Sequence, residues 1–362
     1  MTMSDQHYMH RALELAARGL YTTAPNPRVG CVIANHHEII GEGWHQVAGE
    51  PHAEVYALQQ AGIKAHGASL YVTLEPCAHS GLTLPCVDTI VAAGIARVVV
   101  AMIDPNPQVS GKGIAQLQAA GITVEVGTGQ EAAIKLNRGF ISRMTRHRPF
   151  VRVKSAMSLD GRTAMANGES QWITSAKARE DVQLGRASSG AILSGIGTVL
   201  ADDPLLNVRL PHVTRQPLRV ILDSQLRLSP QAKLFSSPGA ILVATCSQDF
   251  KRRQALEQLG AEVAVLPATE NNQVQLLALL QLLTDKKIND VWVEAGSRLT
   301  GALVAARLVD ECIIYMAPKL LGNEGRGLMH LPHLTHLKDA VELLIEEIVA
   351  IGDDWRITAK VK

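Results

Sequence analysis

Two consecutive α/β domains, one over residues 1–145 and one over residues 146–362, are what the sequence predicts. Three observations lead there. The chain has 362 residues, room for two domains at roughly 100–200 residues each. Short apolar runs alternate with segments whose apolar side chains recur at helical spacing, and strands flanked by such helices imply sheets covered on both faces. The basic stretch RMTRHRP at residues 143–149, ending in proline, marks the boundary.

Residues 5–19 put Met9, Ala12, Leu13 and Ala16 on one helix face, and Gly19 ends it. Apolar residues 29–34 and residues 38–44 flank the polar Asn35-His36-His37, the pattern of a hairpin. Pro51 opens a helix over residues 52–60. A strand at 69–74 follows, then a helix at 87–93 closed by Gly94, a strand at 96–103, a helix at 111–120, a strand at 122–126 and a helix over 130–142. In the second domain the expected strands are 150–156, 191–194, 218–223, 240–244, 262–266 and 291–294. Helices are expected near 175–186, 249–259, 273–284 and 300–307, with closing strands near 311–316, 340–347 and 354–361.

Composition narrows the function. At 47% hydrophobic and 19% charged, the chain can fill two cores, which excludes disorder for its bulk. Lys plus Arg is 35 and Asp plus Glu 34, a net charge of +1, so there is no basic excess to spread along a nucleic acid. No apolar run approaches the roughly 18 residues of a membrane span. The N-terminal MTMSDQHYMHRALELAARG carries no export signal. Five cysteines, an odd number, do not make a disulfide framework, and a reducing, cytoplasmic setting is expected.

Chemistry concentrates first in His52-Ala53-Glu54, Pro76-Cys77 and Cys86. One imidazole and two thiolates suit zinc and leave a fourth position for water, whose pKa zinc lowers. Glu54 sits in the same helical turn as His52 and reaches that water without ligating the metal, the place of a proton shuttle. Cys77 and Cys86 lie near expected helix starts, which favour thiolates. A structural zinc site with His79 as fourth ligand, and buried unrelated cysteines, are the competing readings; His79 is read here as a pocket residue. Asn26 and His45 are candidate substrate donors or ordinary turn residues.

The segments PNPRVGCVI, GEGWHQVAGEPHAEVYAL, YVTLEPCAHSGLTLPC and DPNPQVSGKG resemble the deaminase domain of the bifunctional riboflavin-biosynthesis deaminase/reductases. Eight residues separate Cys77 from Cys86, where nucleic-acid-editing and free-nucleoside deaminases place two. The resemblance implies a cytidine-deaminase-like three-layer fold, zinc on His52, Cys77 and Cys86, and Glu54 as the shuttle. One departure stands out. The family has a basic residue followed by Thr-Pro-Pro-Cys, whereas this chain reads Leu82-Thr83-Leu84-Pro85-Cys86, so the substrate phosphate is expected to be held without position 82.

The second domain follows a different logic. Gly195 and Gly197 come after an expected strand, where absent side chains permit close approach of a cofactor. The loop Gly296-Ser297-Arg298-Leu299-Thr300-Gly301 lies between a strand and a helix and offers amides and hydroxyls to a pyrophosphate. Neither matches G-x-G-x-x-G, so on spacing alone tight turns are the favoured reading over nucleotide binding. RPFVRVKSAMSLDGRTA, GESQWIT, SGIGTVLADDPLLNVR and VEAGSRLTGALV resemble the reductase domain of the same family, a dihydrofolate-reductase-like α/β fold that uses NADPH. By that resemblance Ala156, Trp172, Thr198, Asp202 and the six residues from Gly296 to Gly301 contact the cofactor. Ser170, Arg186, Leu206, Arg209 and Glu294 contact substrate. Arg186 and Arg209 would clamp a ribose phosphate, Glu294 would accept from ribose hydroxyls, and Asp202 would assist near the sugar. Glu294-Ala295-Gly296 replaces the commoner Glu-Gly-Gly, and Ser189-Gly190 the commoner Ser-Asp. Trp172 as a core aromatic and Asp202-Asp203-Pro204 as a plain turn are the alternatives. His330, His333 and His336 read as loop histidines, not a metal site.

The implied activity is consecutive: zinc-dependent deamination of 2,5-diamino-6-ribosylamino-4(3H)-pyrimidinone 5′-phosphate, then NADPH-dependent reduction of the ribosyl to a ribityl chain. The rivals are a single-function deaminase with a structural second domain and a nucleic-acid-editing deaminase. The expected partner is the phosphorylated ribosylamino-pyrimidine, with neither nucleic acid nor membrane, and the expected assembly is a homodimer.

Overall fold

The computed structural model describes residues 5–35, 38–78, 85–107, 109–332 and 334–362. It divides into two units, Met1–Arg148 and Pro149–Lys362. The helix before the division extends to Arg146, so the chain separates a few residues beyond the 145/146 boundary read from the sequence.

The first unit runs α1 (Asp5–Arg18), β1 (Gly30–Asn35), β2 (Glu38–Trp44), α2 (Ala53–Ala61), β3 (Ser69–Val72), α3 (Cys86–Ala92), β4 (Arg97–Val100), α4 (Lys112–Ala119), β5 (Thr123–Val126) and α5 (Gln130–Arg146). His36 and His37, in the expected hairpin turn, lie outside the described residues. The sheet order is β2-β1-β3-β4-β5; β1 is antiparallel to both neighbours and β3, β4 and β5 are parallel. Side-chain alternation sets the layers. Cys31, Ile33, Leu70, Val72, Val98 and Val100 pack with Ala57, Val87, Ile90 and Leu117 on one face. Val32, Ala34, Tyr71 and Val99 pack with Tyr8, Met9, Ala12, Leu15 and Ala133 on the other. A one-residue slip would exchange the two sets, and each fully buried aliphatic side chain is worth about 1.5–3 kcal/mol, so register is firmly specified.

The second unit runs β6 (Phe150–Ser158), β7 (Arg162–Ala164), α6 (Ala176–Ala187), β8 (Ala191–Gly195), α7 (Ile196–Asp202), β9 (Leu218–Leu222), β10 (Ile241–Thr245), α8 (Phe250–Glu257), β11 (Ala261–Val265), α9 (Leu276–Asp285), β12 (Asp290–Glu294), α10 (Ser297–Ala305), β13 (Glu311–Ala317), β14 (Arg326–Gly327), β15 (Leu343–Ile351) and β16 (Asp354–Val361). Nine strands form one sheet in the order β11-β10-β9-β8-β12-β6-β13-β16-β15. From β11 to β13 every pairing is parallel, while β16 and β15 add an antiparallel edge. Val151, Val153, Leu193, Val220 and Val293 meet Leu279, Leu280, Leu283 and Leu303 of α9 and α10. On the opposite face Ile192, Ile221 and Val243 meet Val199 and Leu256 of α7 and α8. Two local expectations change. The stretch after β8 is a helix, not a glycine turn, and α10 begins at Ser297, so residues 297–301 are helical. No helix among the described residues is long and apolar enough to cross a membrane.

Candidate metal centre and a second site at the strand ends

The parallel strands of each sheet end on one edge, where ligands bind in open α/β sheets. In the first unit that edge receives Pro76-Cys77 after β3, and α2 brings His52 and Glu54 to it. Close packing fixes α2: a Cβ at Gly43 on β2 would lie 2.2 Å from the Ala53 carbonyl oxygen, an approach only glycine permits. His52 is the N-cap of α2 in extended conformation, and Cys86 is the first residue of α3.

His52 Nδ1 lies 3.1 Å from Cys86 Sγ and 3.6 Å from Cys77 Sγ. Zinc held tetrahedrally at about 2.0 Å from nitrogen and about 2.3 Å from sulfur makes N···S edges of about 3.5 Å. The ligand atoms of the three residues all lie within 4.8 Å of one another, so they fit zinc. The Cys86 amide also donates to Cys77 Sγ at 3.3 Å. Hydrogen bonding from Cys86 holds the Cys77 thiol well below its ordinary range, while the Cys77 sulfur and burial push Cys86 up. A divalent cation takes both as thiolates. Its hydrogen bond with Cys77 raises the pKa of His52. His79 lies outside the described residues, as do Leu82 and Leu84.

Glu54 is 3% exposed, its Oε2 is buried with no hydrogen-bond partner, and burial raises its pKa. Asn26 and His45, separate in sequence, come together: Asn26 Nδ2 is 3.1 Å from His45 Nε2, and His45 Nδ1 is 3.1 Å from the Pro51 carbonyl. That pattern suits a neutral ring donating from Nδ1, and burial lowers the His45 pKa accordingly. His45 stands edge-on to His52 with ring centroids 5.5 Å apart.

In the second unit Glu294, ending β12, accepts from Arg186 Nε at 2.6 Å and NH2 at 2.8 Å, and from Trp292 Nε1 at 2.9 Å. Arg186 NH1 donates to the Asn207 carbonyl at 2.9 Å. Burial alone would raise the Glu294 pKa, but the Arg186 guanidinium overrides it and holds the carboxyl down at about 2. The fork of Arg186, expected as a phosphate clamp, faces Glu294 in this structure, because a carboxylate this buried needs a paired cation. Arg209 is exposed, with its amide on Gln183 Oε1 at 3.0 Å and NH1 on Asn207 Oδ1 at 3.1 Å. Leu206 is 2% exposed with φ +50°, and Val208 beside it is gripped through both backbone groups by Gln216 at 2.9 and 3.0 Å. Ser170 and Ala156 are half-buried.

Thr198 Oγ1 accepts the Gly296 amide at 3.1 Å, joining the start of α7 to the N-cap of α10. Gly296 and Arg298 are exposed, and Ser297 and Leu299 half-buried. Thr300 and Gly301 turn inward instead. The Thr300 hydroxyl donates to its own helix at Gly296 and Ser297, and a Cβ at Gly301 would lie 2.1 Å from the His330 carbonyl. These last two belong to the packed first turns of α10. Trp172 is 62% exposed, which removes the core-aromatic alternative; Arg179 lies over its ring at 4.4 Å. Asp202 ends α7 rather than standing in a turn, within 3.5 Å of Gln171 Nε2. His333 lies outside the described residues.

Two residues escaped the sequence reading. Lys154 on β6 has its ammonium 6.0 Å from the Tyr315 ring, and burial, aided by the Arg186 charge and opposed by Glu294, lowers its pKa. A lysine in the middle of a parallel-sheet strand was the available signal. Glu75, one residue before Pro76, is 3% exposed and accepts only backbone amides.

A family model for the RibD C-terminal domain matches residues 149–357, and one for the cytidine and deoxycytidylate deaminase zinc-binding region matches residues 2–102. The riboflavin biosynthesis protein RibD of Escherichia coli is 50% identical over 364 residues, spanning 97% of this chain and 98% of its own. That of Haemophilus influenzae is 50% identical over 367 residues, spanning 98% and 96%. Among solved structures, Acinetobacter baumannii RibD in its form 1 superposes with a TM-score of 0.91 at 46% identity over 99% of both chains. A Thermotoga maritima diaminohydroxyphosphoribosylaminopyrimidine deaminase/5-amino-6-(5-phosphoribosylamino)uracil reductase gives 0.88 at 34% identity, again over 99% of both.

Proposed function

The chain belongs to the RibD family of bifunctional riboflavin-biosynthesis enzymes, a zinc deaminase joined to a reductase, and we propose that its two units act in succession on one pyrimidine nucleotide. The first deaminates 2,5-diamino-6-ribosylamino-4(3H)-pyrimidinone 5′-phosphate, and the second reduces the ribosyl side chain of the product with NADPH. The observation that carries this reading is the convergence of His52, Cys77 and Cys86 beside the buried Glu54.

Zinc on those three ligands supplies Lewis acidity that draws the pKa of water toward neutrality. Glu54 moves the protons: Oε2, unpartnered and buried, takes one from the attacking water and delivers it to the ring nitrogen, then takes the second from the added hydroxyl and delivers it to the departing amine. A C–O bond forms, the C–N bond breaks and ammonia leaves. The raised pKa of Glu54 suits the return step, since a more basic carboxylate holds the proton until the leaving group needs it. Asn26, already giving one hydrogen to His45, offers its carbonyl and remaining hydrogen to the pyrimidine.

In the second unit NADPH supplies the hydride. The amides at the start of α10, with Gly296, Ser297, Arg298, Leu299 and Thr198, receive its pyrophosphate. Ala156, Trp172 and Asp202 line the remainder, and Asp202 assists near the sugar. Glu294, kept ionised by Arg186, accepts from ribose hydroxyls. Arg209 meets the phosphate, and Ser170 and Leu206 complete the substrate side. The working assembly is a homodimer in the cytoplasm. In support, β15 ends the sheet with Leu344, Ile345 and Ile348 more than half exposed, an apolar edge suited to a second copy. All five cysteines are unpaired, which suits a reducing compartment.

A coupled assay of the purified chain on the diaminopyrimidine phosphate, reading ammonia release and NADPH consumption separately, tests both activities. Ammonia without NADPH consumption would leave the second unit a structural module.

A further inference from the structure

Glu75 has four hydrogen-bond donors and every one is a backbone amide. Oε2 accepts from Asp104 at 3.1 Å and Gly111 at 2.9 Å; Oε1 accepts from Gly113 at 2.9 Å and Ile114 at 3.3 Å. Gly111 is the N-cap of α4, has no side chain to cap with, and stands at φ +77°. The amides of Gly113 and Ile114 belong to the first turn of that helix, which leaves its first donors without partners inside the helix. A carboxylate reaching in from 38 residues away supplies the acceptor and the negative charge that a helix N-terminus favours.

The same carboxylate closes a loop. Asp104 and Gly111, the two ends of the segment after β4, both donate to Oε2. Since β3 and β4 are parallel neighbours, this segment emerges at the edge that carries Cys77. It is also pressed against the metal-ligand strand: a Cβ at Gly113 would lie 2.0 Å from the Pro76 carbonyl, one bond from the Cys77 nitrogen. The Glu75 amide itself donates to Met102 at 3.0 Å, tying the two strand ends together.

We propose that Glu75 is a positioning residue of the deaminase, pinning Asp104, Gly111 and the first turn of α4 against the Pro76-Cys77 segment on the substrate side of the metal centre and acting entirely through backbone amides. It touches neither metal nor substrate. The inference rests on the deaminase reading of the first unit and adds a residue to it.

Glu75→Gln in the zinc-loaded full chain tests it. The amide keeps the shape but turns one acceptor into a donor facing two N–H groups, so one end of the segment is released. The deaminase KM is expected to rise at least tenfold with kcat within about threefold and zinc content unchanged. Amide hydrogen exchange should accelerate at two or more of Asp104, Gly111, Gly113 and Ile114. A merely structural role would lower the active fraction instead, so that kcat falls in step with zinc content at constant KM, and that result overturns the proposal. If E75Q does not fold, Glu75→Asp keeps the charge and withdraws it by one methylene; a KM within twofold of the parent there also overturns it. A parent chain that releases no ammonia would defeat the deaminase reading itself, an outcome separate from an unaffected E75Q.

Discussion

Arg186→Met separates the two roles an arginine can have beside Glu294. The pair is nearly dry, with side-chain exposures of 9% and 14%, and is joined by two hydrogen bonds of 2.6 and 2.8 Å. A carboxyl drawn from an ordinary 4.5 to about 2 contributes about 3 kcal/mol of stability at neutral pH. Its folded pKa is depressed, so that contribution is complete above about pH 4.5 and is lost as pH falls toward 2. Removing only the cation strands the carboxylate, at a cost of about 3–5 kcal/mol. Urea unfolding of the second unit, followed by circular dichroism, should show that loss in R186M. The double variant Arg186→Met with Glu294→Met should recover to within about 1 kcal/mol of the parent, since an apolar pair of similar volume replaces the ion pair. It should also lose this part of the acid sensitivity and be unable to reduce the substrate. A loss below about 1 kcal/mol in R186M would refute the buried pair and return Arg186 to the phosphate.

Three further outcomes are expected. C77A and C86A should each lose zinc, measured by metal analysis beside the parent; full zinc in both would remove the ligand assignment. E54Q should retain zinc and lose deamination by roughly 10²–10⁴-fold, with reduction of supplied deaminated product unchanged, and deamination within threefold of the parent would exclude Glu54 as the shuttle. R209A should keep its melting temperature within a few degrees and its NADPH affinity, by isothermal titration, within about threefold. Its reductase KM should rise at least tenfold, as for a charged hydrogen bond of about 1.5–3 kcal/mol, and unchanged kinetics would take Arg209 out of the substrate site.

The metal centre was legible because its chemistry is local: each ligand sits beside a helix start or a strand end that periodicity alone marks, in segments only a few residues long. The layers were legible for the same reason, since alternation such as Cys31, Ile33 against Val32, Ala34 assigns faces without knowledge of partners. What stayed hidden depended on long-range partners. Arg186 reads as a phosphate clamp until Glu294, 108 residues later, is seen to occupy its fork. Thr300 and Gly301 read as a cofactor loop until α10 is seen to begin at Ser297 and to pack on His330. Nothing in the string marks where that helix starts, because Gly296 caps it with no side chain.

Three buried glutamates show how environment, not residue type, assigns the work. Glu75 has both oxygens filled by fixed amides, so it has no lone pair to offer a reactant and serves as a rivet. Glu294 is filled by a cation and an indole, which keeps it charged and oriented, an acceptor that does not give up its negative charge near neutral pH. Glu54 keeps one buried oxygen without a partner, and burial, above all, has raised its pKa. An unpaired buried acceptor costs about 1–3 kcal/mol, and a fold retains such a cost where the group must exchange protons. Filling that oxygen should therefore stabilise the first unit while abolishing its chemistry. The same physical accounting that supports the proposal of Glu54 as the shuttle makes Glu75 and Glu294 unable to be one.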